Sequence, residues 1–169
     1  FKIDSGTVTF SFDVMQSRET PGRARIHFRD YHTPGTNPAA AGPTASSYVE
    51  GPDLMLTSKG QLIANQKNLM QVPAGKWVHV EAKFTLGAGK PKRYAIPARL
   101  LGEEAAKTVT DVPFTSPHFA VFTGLFVIAE LEPTDSHPVF YLDNLRLDHH
   151  PPLPRPTQKT QLRQAPKGH

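Results

Sequence analysis

The sequence predicts an all-β fold, an antiparallel β-sandwich of jelly-roll type with about eight strands and little helix. Two stretches, TVTFSFDV and KWVHVEAKFTLG, alternate apolar and polar side chains with the period of two that is typical of half-buried strands. Proline and glycine separate such runs along the chain, and no stretch shows the period of a helix of ordinary length. This pattern favours two packed sheets over alternating strands and helices.

The first half of the chain predicts two strands and a hairpin. The inward positions of TVTFSFDV and RARIHFR are all apolar, whereas the outward positions of RARIHFR are basic: Arg23, Arg25, His27 and Arg29. Residues 30–47 are mostly small and polar, and they predict a long loop. After it, DLMLTSKGQLIAN predicts a hairpin, because Ser58-Lys59-Gly60 supplies the glycine that a tight turn requires.

In the second half, KWVHVEAKFTLG gives the clearest strand, with inward residues from Val78 to Leu86. RYAIPARLL contains Pro97, which cannot donate a backbone hydrogen bond, and this predicts an edge strand or a bulge. GEEAAKT predicts one short helical turn. FAVFTGLFVIAEL, residues 119–131, predicts a core strand with a bulge at Gly124.

The last predicted strand, VFYLDNLRL, places a carboxylate in a row of apolar side chains. Alternate residues from Val139 to Leu147, including Asp143, share one face of an extended strand, and this face is predicted to be buried. An unpaired buried charge is costly, so Asp143 requires a partner. Backbone N–H groups at a bulge, or an arginine such as Arg25, would supply one.

The excess positive charge lies at the end of the chain. Nineteen Lys and Arg stand against fifteen Asp and Glu, and the four cations after Asp148 account for the whole net charge of +4. This proline-rich segment has no hydrophobic period, so residues 149–169 are predicted to be a linker or disordered tail after one sandwich domain, residues 1–148. The remaining body is formally neutral and offers no basic patch, which argues against nucleic acid as a partner.

Other classes are excluded by composition. The absence of cysteine excludes disulfides and thiolate metal sites. No apolar run approaches the ~20 residues that cross a bilayer, so no membrane span is predicted. The chain begins with Phe1 and shows no leader sequence, and we interpret it as a piece of a longer protein with neighbouring domains.

Three segments, GTVTFSFDV, GKWVHVEAKFTLG and VFYLDNLRL, occur in this order between Gly6 and Leu147. In them the chain resembles the jelly-roll carbohydrate-binding modules and concanavalin-like lectin domains appended to secreted polysaccharide-active enzymes. The resemblance implies a polysaccharide or glycan partner and an extracellular or periplasmic location. It also implies a structural calcium ion held by the aspartate of the closing motif, here Asp143, as an alternative to the hydrogen-bonded carboxylate.

Sugar rings stack on aromatic side chains, and their hydroxyl groups bind polar neighbours. The candidate ligand-binding residues are Trp77, His79, Glu81, Tyr31, His32 and Tyr48. The first three share the outward side of one predicted strand, although Trp77 could instead pack over an edge of the sandwich. The other three lie at the two ends of the long loop, and such loops are frequent ligand sites.

The sequence shows no recognisable set of catalytic residues. The acidic pairs Glu103/Glu104 and Glu130/Glu132 lie in a connector and at a strand end, and HExxH, GxSxG, Walker and GxGxxG motifs are absent. The sequence therefore favours a non-catalytic carbohydrate-binding module of a larger secreted protein. The alternatives are a structural or protein-interaction sandwich that braces a catalytic domain, and a small glycan-active hydrolase or lyase, which requires two carboxylates, or a tyrosine and a histidine, in one cleft.

Overall fold

The computed structural model describes residues 1–31, 48–130, 137 and 139–153, and these residues form ten β-strands and no helix. The strands are β1 (Gly6–Gln16), β2 (Arg23–Asp30), β3 (Val49–Leu56), β4 (Gln61–Ala64), β5 (Lys67–Gln71), β6 (Val78–Leu86), β7 (Arg93–Leu100), β8 (Lys107–Pro113), β9 (Gly124–Glu130) and β10 (Phe140–His150). They form two antiparallel sheets, in the orders β10-β1-β6-β7-β8 and β5-β4-β3-β2-β9. The predicted all-β sandwich is confirmed. Within the described ranges no helix is long and apolar enough to cross a membrane.

The core lies between the sheets and is built from the inward positions of the alternating strands. Phe28 on β2 stands at its centre, with ring centroids 5.6 Å from Phe10, 5.5 Å from Phe84 and 5.2 Å from Phe122. Such aromatic contacts stabilise by about 0.5–1.5 kcal/mol each beyond the burial of their area. The inward residues of β2 are therefore held by both sheets, and its basic residues are left on the outer face.

Several local predictions are corrected. The predicted helical turn at GEEAAKT is wrong, because Leu101–Gly102 form a turn and β8 begins at Lys107. β7 is not an edge strand, because it lies between β6 and β8. The alternative, a bulge, agrees with a shift of the β7–β8 register between Tyr94 and Ile96, next to Pro97, which pairs with Thr108. The hairpin turn before β4 is confirmed, with Gly60 at φ 77°. The loop was predicted for residues 30–47, but Asp30 is the last residue of β2, and residues 32–47 lie outside the described residues. The tail was predicted from residue 149, but β10 extends to His150, and the residues beyond 153 lie outside the described ones.

The prediction that the alternate side chains of VFYLDNLRL are buried is wrong. Tyr141, Leu145 and Leu147 are 47%, 54% and 38% exposed, and Asp143 is exposed too. Two features explain this: β10 is the edge strand of its sheet, and its register with β1 shifts at a bulge where Asn144 has φ 51°. A bulge exchanges the inward and outward parity, so strict alternation fails across it.

Asp143 takes a hydrogen bond from the backbone, since its Oδ1 accepts one from the N–H of Asn144 at 2.7 Å. This is the kind of contact that was the alternative to a metal ion. In the described part of the chain no group of three or more His, Cys, Asp or Glu side chains is arranged to hold a metal. The structural calcium ion at Asp143 stays a prediction.

The buried carboxylate of this sheet belongs to Asp13 on β1, which is 4% exposed. Its Oδ1 accepts a hydrogen bond from His79 Nδ1 on β6 at 2.6 Å, and its Oδ2 accepts one from Asn144 Nδ2 on β10 at 2.6 Å. A carboxylate can only accept, so both partners donate. Asp13 therefore links three neighbouring strands across the outer face of the first sheet.

Candidate functional site

The outer face of the second sheet carries the densest set of chemically active side chains in the described residues. They project from β2 and its neighbours β3 and β9, and from Tyr31 and Tyr48, which flank residues 32–47 in the sequence. We call this surface the β2 face; it comprises Arg25, His27, Arg29, Tyr31, Tyr48, Glu50, Asp53 and Phe126. It exists because Ala24, Ile26 and Phe28 are buried, which turns the alternate residues of the same strand outward.

The guanidinium of Arg29 is stacked between two aromatic rings. Its Cζ lies 3.9 Å from the ring centroid of Tyr48 and 4.1 Å from that of Phe126, which are cation–π distances. Its Nη1 donates a hydrogen bond to the hydroxyl of Tyr31 at 3.4 Å. Its Nε is buried without a hydrogen-bond partner, and no carboxylate of the described residues pairs with it. Arg29 is thus fixed in place, and its charge has no carboxylate partner among the described residues.

The backbone that carries Tyr31 is anchored at the end of β2. Buried Asp30 accepts hydrogen bonds from the N–H groups of Val121 at 3.0 Å and Ala120 at 3.3 Å. The N–H of Tyr31 itself donates to Thr123 Oγ1 at 3.1 Å. Its ring lies 5.6 Å from that of Tyr48, between centroids. The exposed Tyr31 hydroxyl is therefore presented by a backbone that is held on both sides.

Arg25 is already paired within the protein. Its Nε and Nη2 donate to the two carboxylate oxygens of Asp53 at 3.0 and 3.2 Å, a bidentate contact, and Nη2 lies 3.7 Å from Glu50 Oε2. Bidentate pairing fixes the planar guanidinium and neutralises its charge locally. Arg25 is therefore held by carboxylates and Arg29 by aromatic rings, although both lie on the same face of β2.

His27 lies beneath this network and is 2% exposed. Its Nδ1 lies 3.2 Å from Glu50 Oε1 and 3.7 Å from Asp53 Oδ1. The His27 imidazole is the main cause that lowers the pKa of Glu50; burial of the carboxylate opposes this effect, and the charges of Arg25 and Arg29 reinforce it. Glu50 is accordingly held in its ionised form by the β2 face.

This lowered pKa predicts a pH dependence of stability. A carboxylate whose pKa is lower in the folded state stabilises the fold above its unfolded pKa of 4.5, and this contribution is lost as the pH falls through the folded value. We therefore expect Glu50→Gln to show a shallower loss of stability than the wild type below about pH 4.5. Urea unfolding at several pH values measures this, with Glu103→Gln, a change at an exposed connector, as the control. If the free energy of unfolding fell equally steeply with pH for Glu50→Gln and wild type in this range, the prediction would be contradicted.

The structure divides the predicted ligand-binding residues between two surfaces. Tyr31 and Tyr48 meet on the β2 face, whereas His79 and Glu81 lie on the outer face of the first sheet. Trp77 precedes β6 and is half-buried, with its carbonyl oxygen accepting a hydrogen bond from the N–H of Leu101 at 3.0 Å. His32 lies outside the described residues.

The other members of the β2 face were not among the sequence candidates. They are Arg25, His27, Arg29, Glu50, Asp53 and Phe126. The basic alternation of RARIHFR was visible, and it indicated an outward cationic row. The stacking and pairing of these arginines depend on β3 and β9, which are distant in sequence.

The outer face of the first sheet has a shallow depression of about 460 Å³, lined mainly by polar side chains of β1, β6 and β10. Its charged groups are paired with each other: Lys83 Nζ lies 2.7 Å from Glu81 Oε2, and Arg146 Nε lies 2.8 Å from Asp148 Oδ2. The hydrogen bond from Lys83 is the main cause that lowers the pKa of Glu81. His79 is engaged by Asp13. The β2 face is the stronger candidate, because Arg29 has no carboxylate partner among the described residues and lies beside an exposed phenol.

The fold of this chain is similar to that of known enzymes. No family model matches the sequence, and no curated protein is similar to it. The fold is similar to that of the marine PL-14 alginate lyase from Aplysia kurodai, with a TM-score of 0.54 and 12% identity over 87% of this chain and 71% of that one. It is also similar to the endo-β-1,4-glucuronan lyase from Trichoderma reesei, with a TM-score of 0.55 and 12% identity over 86% and 69%.

These similar structures are polysaccharide lyases with a β-sandwich fold, and they correct the functional prediction. A non-catalytic carbohydrate-binding module was expected, but the similar structures are enzymes and the similarity extends over most of the chain. The expected accessory module is therefore wrong. The alternative was a small glycan-active hydrolase or lyase, with two carboxylates, or a tyrosine and a histidine, in one cleft. Its lyase form agrees better with this finding.

Proposed function

We propose that this protein is a small polysaccharide lyase that cleaves a uronate-containing glycan by β-elimination on the β2 face. The observation that supports this most is Arg29, which is fixed between two aromatic rings, lacks a carboxylate partner in the described residues and contacts the Tyr31 hydroxyl. The likeness of the fold to alginate and glucuronan lyases supports the same reaction class. Polysaccharides of this kind occur outside the cytoplasm, and we therefore propose that the protein acts in an extracellular or periplasmic space.

β-Elimination has three chemical requirements. The uronate carboxylate must be neutralised, so that the proton on the neighbouring C5 becomes acidic; a base must take this proton; and the departing O4 must receive one. The C4–O4 bond breaks and a C4=C5 double bond forms, with no water consumed. No metal is required by this scheme, and it uses only positioned side chains.

The β2 face can meet these requirements with few residues. Arg29 binds the carboxylate and stabilises the charge that develops on it as C5 loses its proton. Tyr31 acts as the base in its phenolate form, whose oxygen lies 3.4 Å from Arg29 Nη1 and takes the C5 proton. The phenol formed in this way gives the proton to the departing O4, which restores the phenolate. The exposed ring of Tyr31, with the half-buried ring of Tyr48 beside it, provides a surface for the apolar side of the sugar.

The direct test is an assay for the double bond. We expect the purified chain to generate the ultraviolet absorbance of a C4=C5 bond conjugated to a carboxylate, from one or more members of a panel containing alginate, glucuronan and hyaluronan. Arg29→Lys should lower the rate more than about tenfold, because lysine retains the charge but not the planar pair of donors.

The matched control for this test is Arg146→Lys on the opposite sheet, which should leave the rate unchanged. New reducing ends without a double bond would indicate a hydrolase. No product from any polymer of the panel, with a folded protein, would also contradict the proposal.

A further inference from the structure

The charge of the β2 face is concentrated at one point. Arg25 is paired with Asp53 and with Glu50. Glu50 lies opposite Arg29 in the strand register, but its carboxylate reaches back to His27 and Arg25. Arg29 has no such partner among the described residues. Residues 32–47, which adjoin this end of β2, contain no Asp, Glu, Lys or Arg, so they add no fixed charge whatever their conformation. The β2 face therefore presents Arg29 as its available cation.

The surroundings of Arg29 are unsuited to a second anion on either side. Toward Arg25, about 13 Å further along the strand at 3.3 Å per residue, lie the carboxylates of Glu50 and Asp53. The residues that pair with Arg25 on the neighbouring strands, Met55 and Ile128, are apolar. In the other direction stand the rings of Tyr31 and Tyr48, 5.6 Å apart, which suit an uncharged sugar ring.

We infer that the preferred substrate is a polysaccharide in which single uronates alternate with neutral sugars, rather than a continuous run of uronates or a sulfated chain. This inference rests on the proposed function. A uronate at Arg29 gains a charge-assisted bidentate contact, whereas a second uronate toward Arg25 meets like charge. Neutral sugars there meet carboxylate oxygens that accept hydrogen bonds from hydroxyl groups. The selectivity therefore has an attractive part, Arg29, and a repulsive part, Glu50 with Asp53.

Binding, measured separately from cleavage, tests the inference. Calorimetry would compare alginate oligosaccharides, in which uronates are consecutive, with unsulfated hyaluronan oligosaccharides of equal length, in which they alternate with a neutral amide sugar. Both titrations use the same ionic strength, because salt screens such contacts. We expect the alternating oligosaccharide to bind at least tenfold more tightly.

Asp53→Asn should reduce this preference several-fold, because it removes one of the two carboxylates that repel a second uronate and the bidentate partner of Arg25. The matched control is Asp148→Asn, which frees Arg146 from a similar Arg–Asp pair on the opposite sheet and should leave the preference unchanged. If Asp53→Asn does not fold, Glu50→Gln removes the other carboxylate and should act in the same direction.

The outcomes separate the two proposals. Equal or tighter binding of alginate, no binding of either oligosaccharide, or a preference that neither variant alters would overturn the inference about substrate class. If, in such a case, alginate is cleaved to unsaturated products, the lyase proposal stands and only the inference about substrate class fails. A clear preference for the alternating chain without any unsaturated product would instead support this selectivity and contradict the lyase reaction.

Discussion

Replacing Asp13 with alanine is expected to lower the free energy of unfolding by about 3 kcal/mol. The change removes two short hydrogen bonds to a carboxylate whose side chain is 5% exposed, from His79 and from Asn144. It also leaves both donors facing a cavity in the outer face of the first sheet. The bulge in β10 would lose the contact that orients its left-handed residue, Asn144.

Urea unfolding at neutral pH measures this effect, and thermal melts should show a fall of roughly 10 °C. Asp148→Ala is the matched control on the same sheet. Its carboxylate pairs with Arg146, but the two side chains are 39% and 72% exposed, so the loss should be below about 1 kcal/mol. A similar cost for the two substitutions would show that Asp13 does not clamp the three strands.

Replacing Tyr31 with phenylalanine is expected to lower the rate of cleavage by about 10²- to 10⁴-fold, the range for loss of a general acid–base group. The ring and its contacts with Tyr48 and Phe126 are retained, and only the hydroxyl that contacts Arg29 is removed. The loss should therefore appear mainly in kcat, with KM changed little, because the sugar still stacks on the ring and binds Arg29.

The matched control for Tyr31→Phe is Tyr141→Phe, since Tyr141 on the edge strand β10 is exposed to a similar degree, 47% against 42%. That variant should have the wild-type rate. Both variants should have the melting temperature of the wild type, because both tyrosines are exposed. Full activity of Tyr31→Phe on a substrate that the wild type cleaves would assign the proton transfer to another group.

The predictable part of the candidate site is its cationic row. The alternation in RARIHFR is enough to place Arg25, His27 and Arg29 on one side of a strand. Tyr31 and Tyr48 could be chosen as aromatic residues at the ends of a loop. That Arg29 is available and Arg25 is not depends on Glu50, Asp53 and Phe126, which strand pairing brings to β2 from other parts of the chain.

The closing strand shows why alternation alone was insufficient. The burial of Val8, Phe10, Phe12 and Val14 followed from the period of two, because β1 lies inside its sheet with partners on both sides. The same rule failed from Val139 to Leu147, since an edge strand has one partner and a bulge inverts its parity. It also assigned the buried carboxylate of this sheet to Asp143, although Asp13 is the one that its neighbours cover there.

The sequence by itself determined that the chain forms strands, that these pack as a sandwich, and which sides of β1, β2 and β6 face the core. These properties follow from local periodicity, which the hydrophobic effect converts directly into burial. Only the tertiary structure decided which charges are paired, which carboxylate is buried and which arginine is available to a ligand. Those properties depend on distances of a few ångströms between side chains far apart in sequence, and electrostatic and hydrogen-bond energies change steeply over such distances.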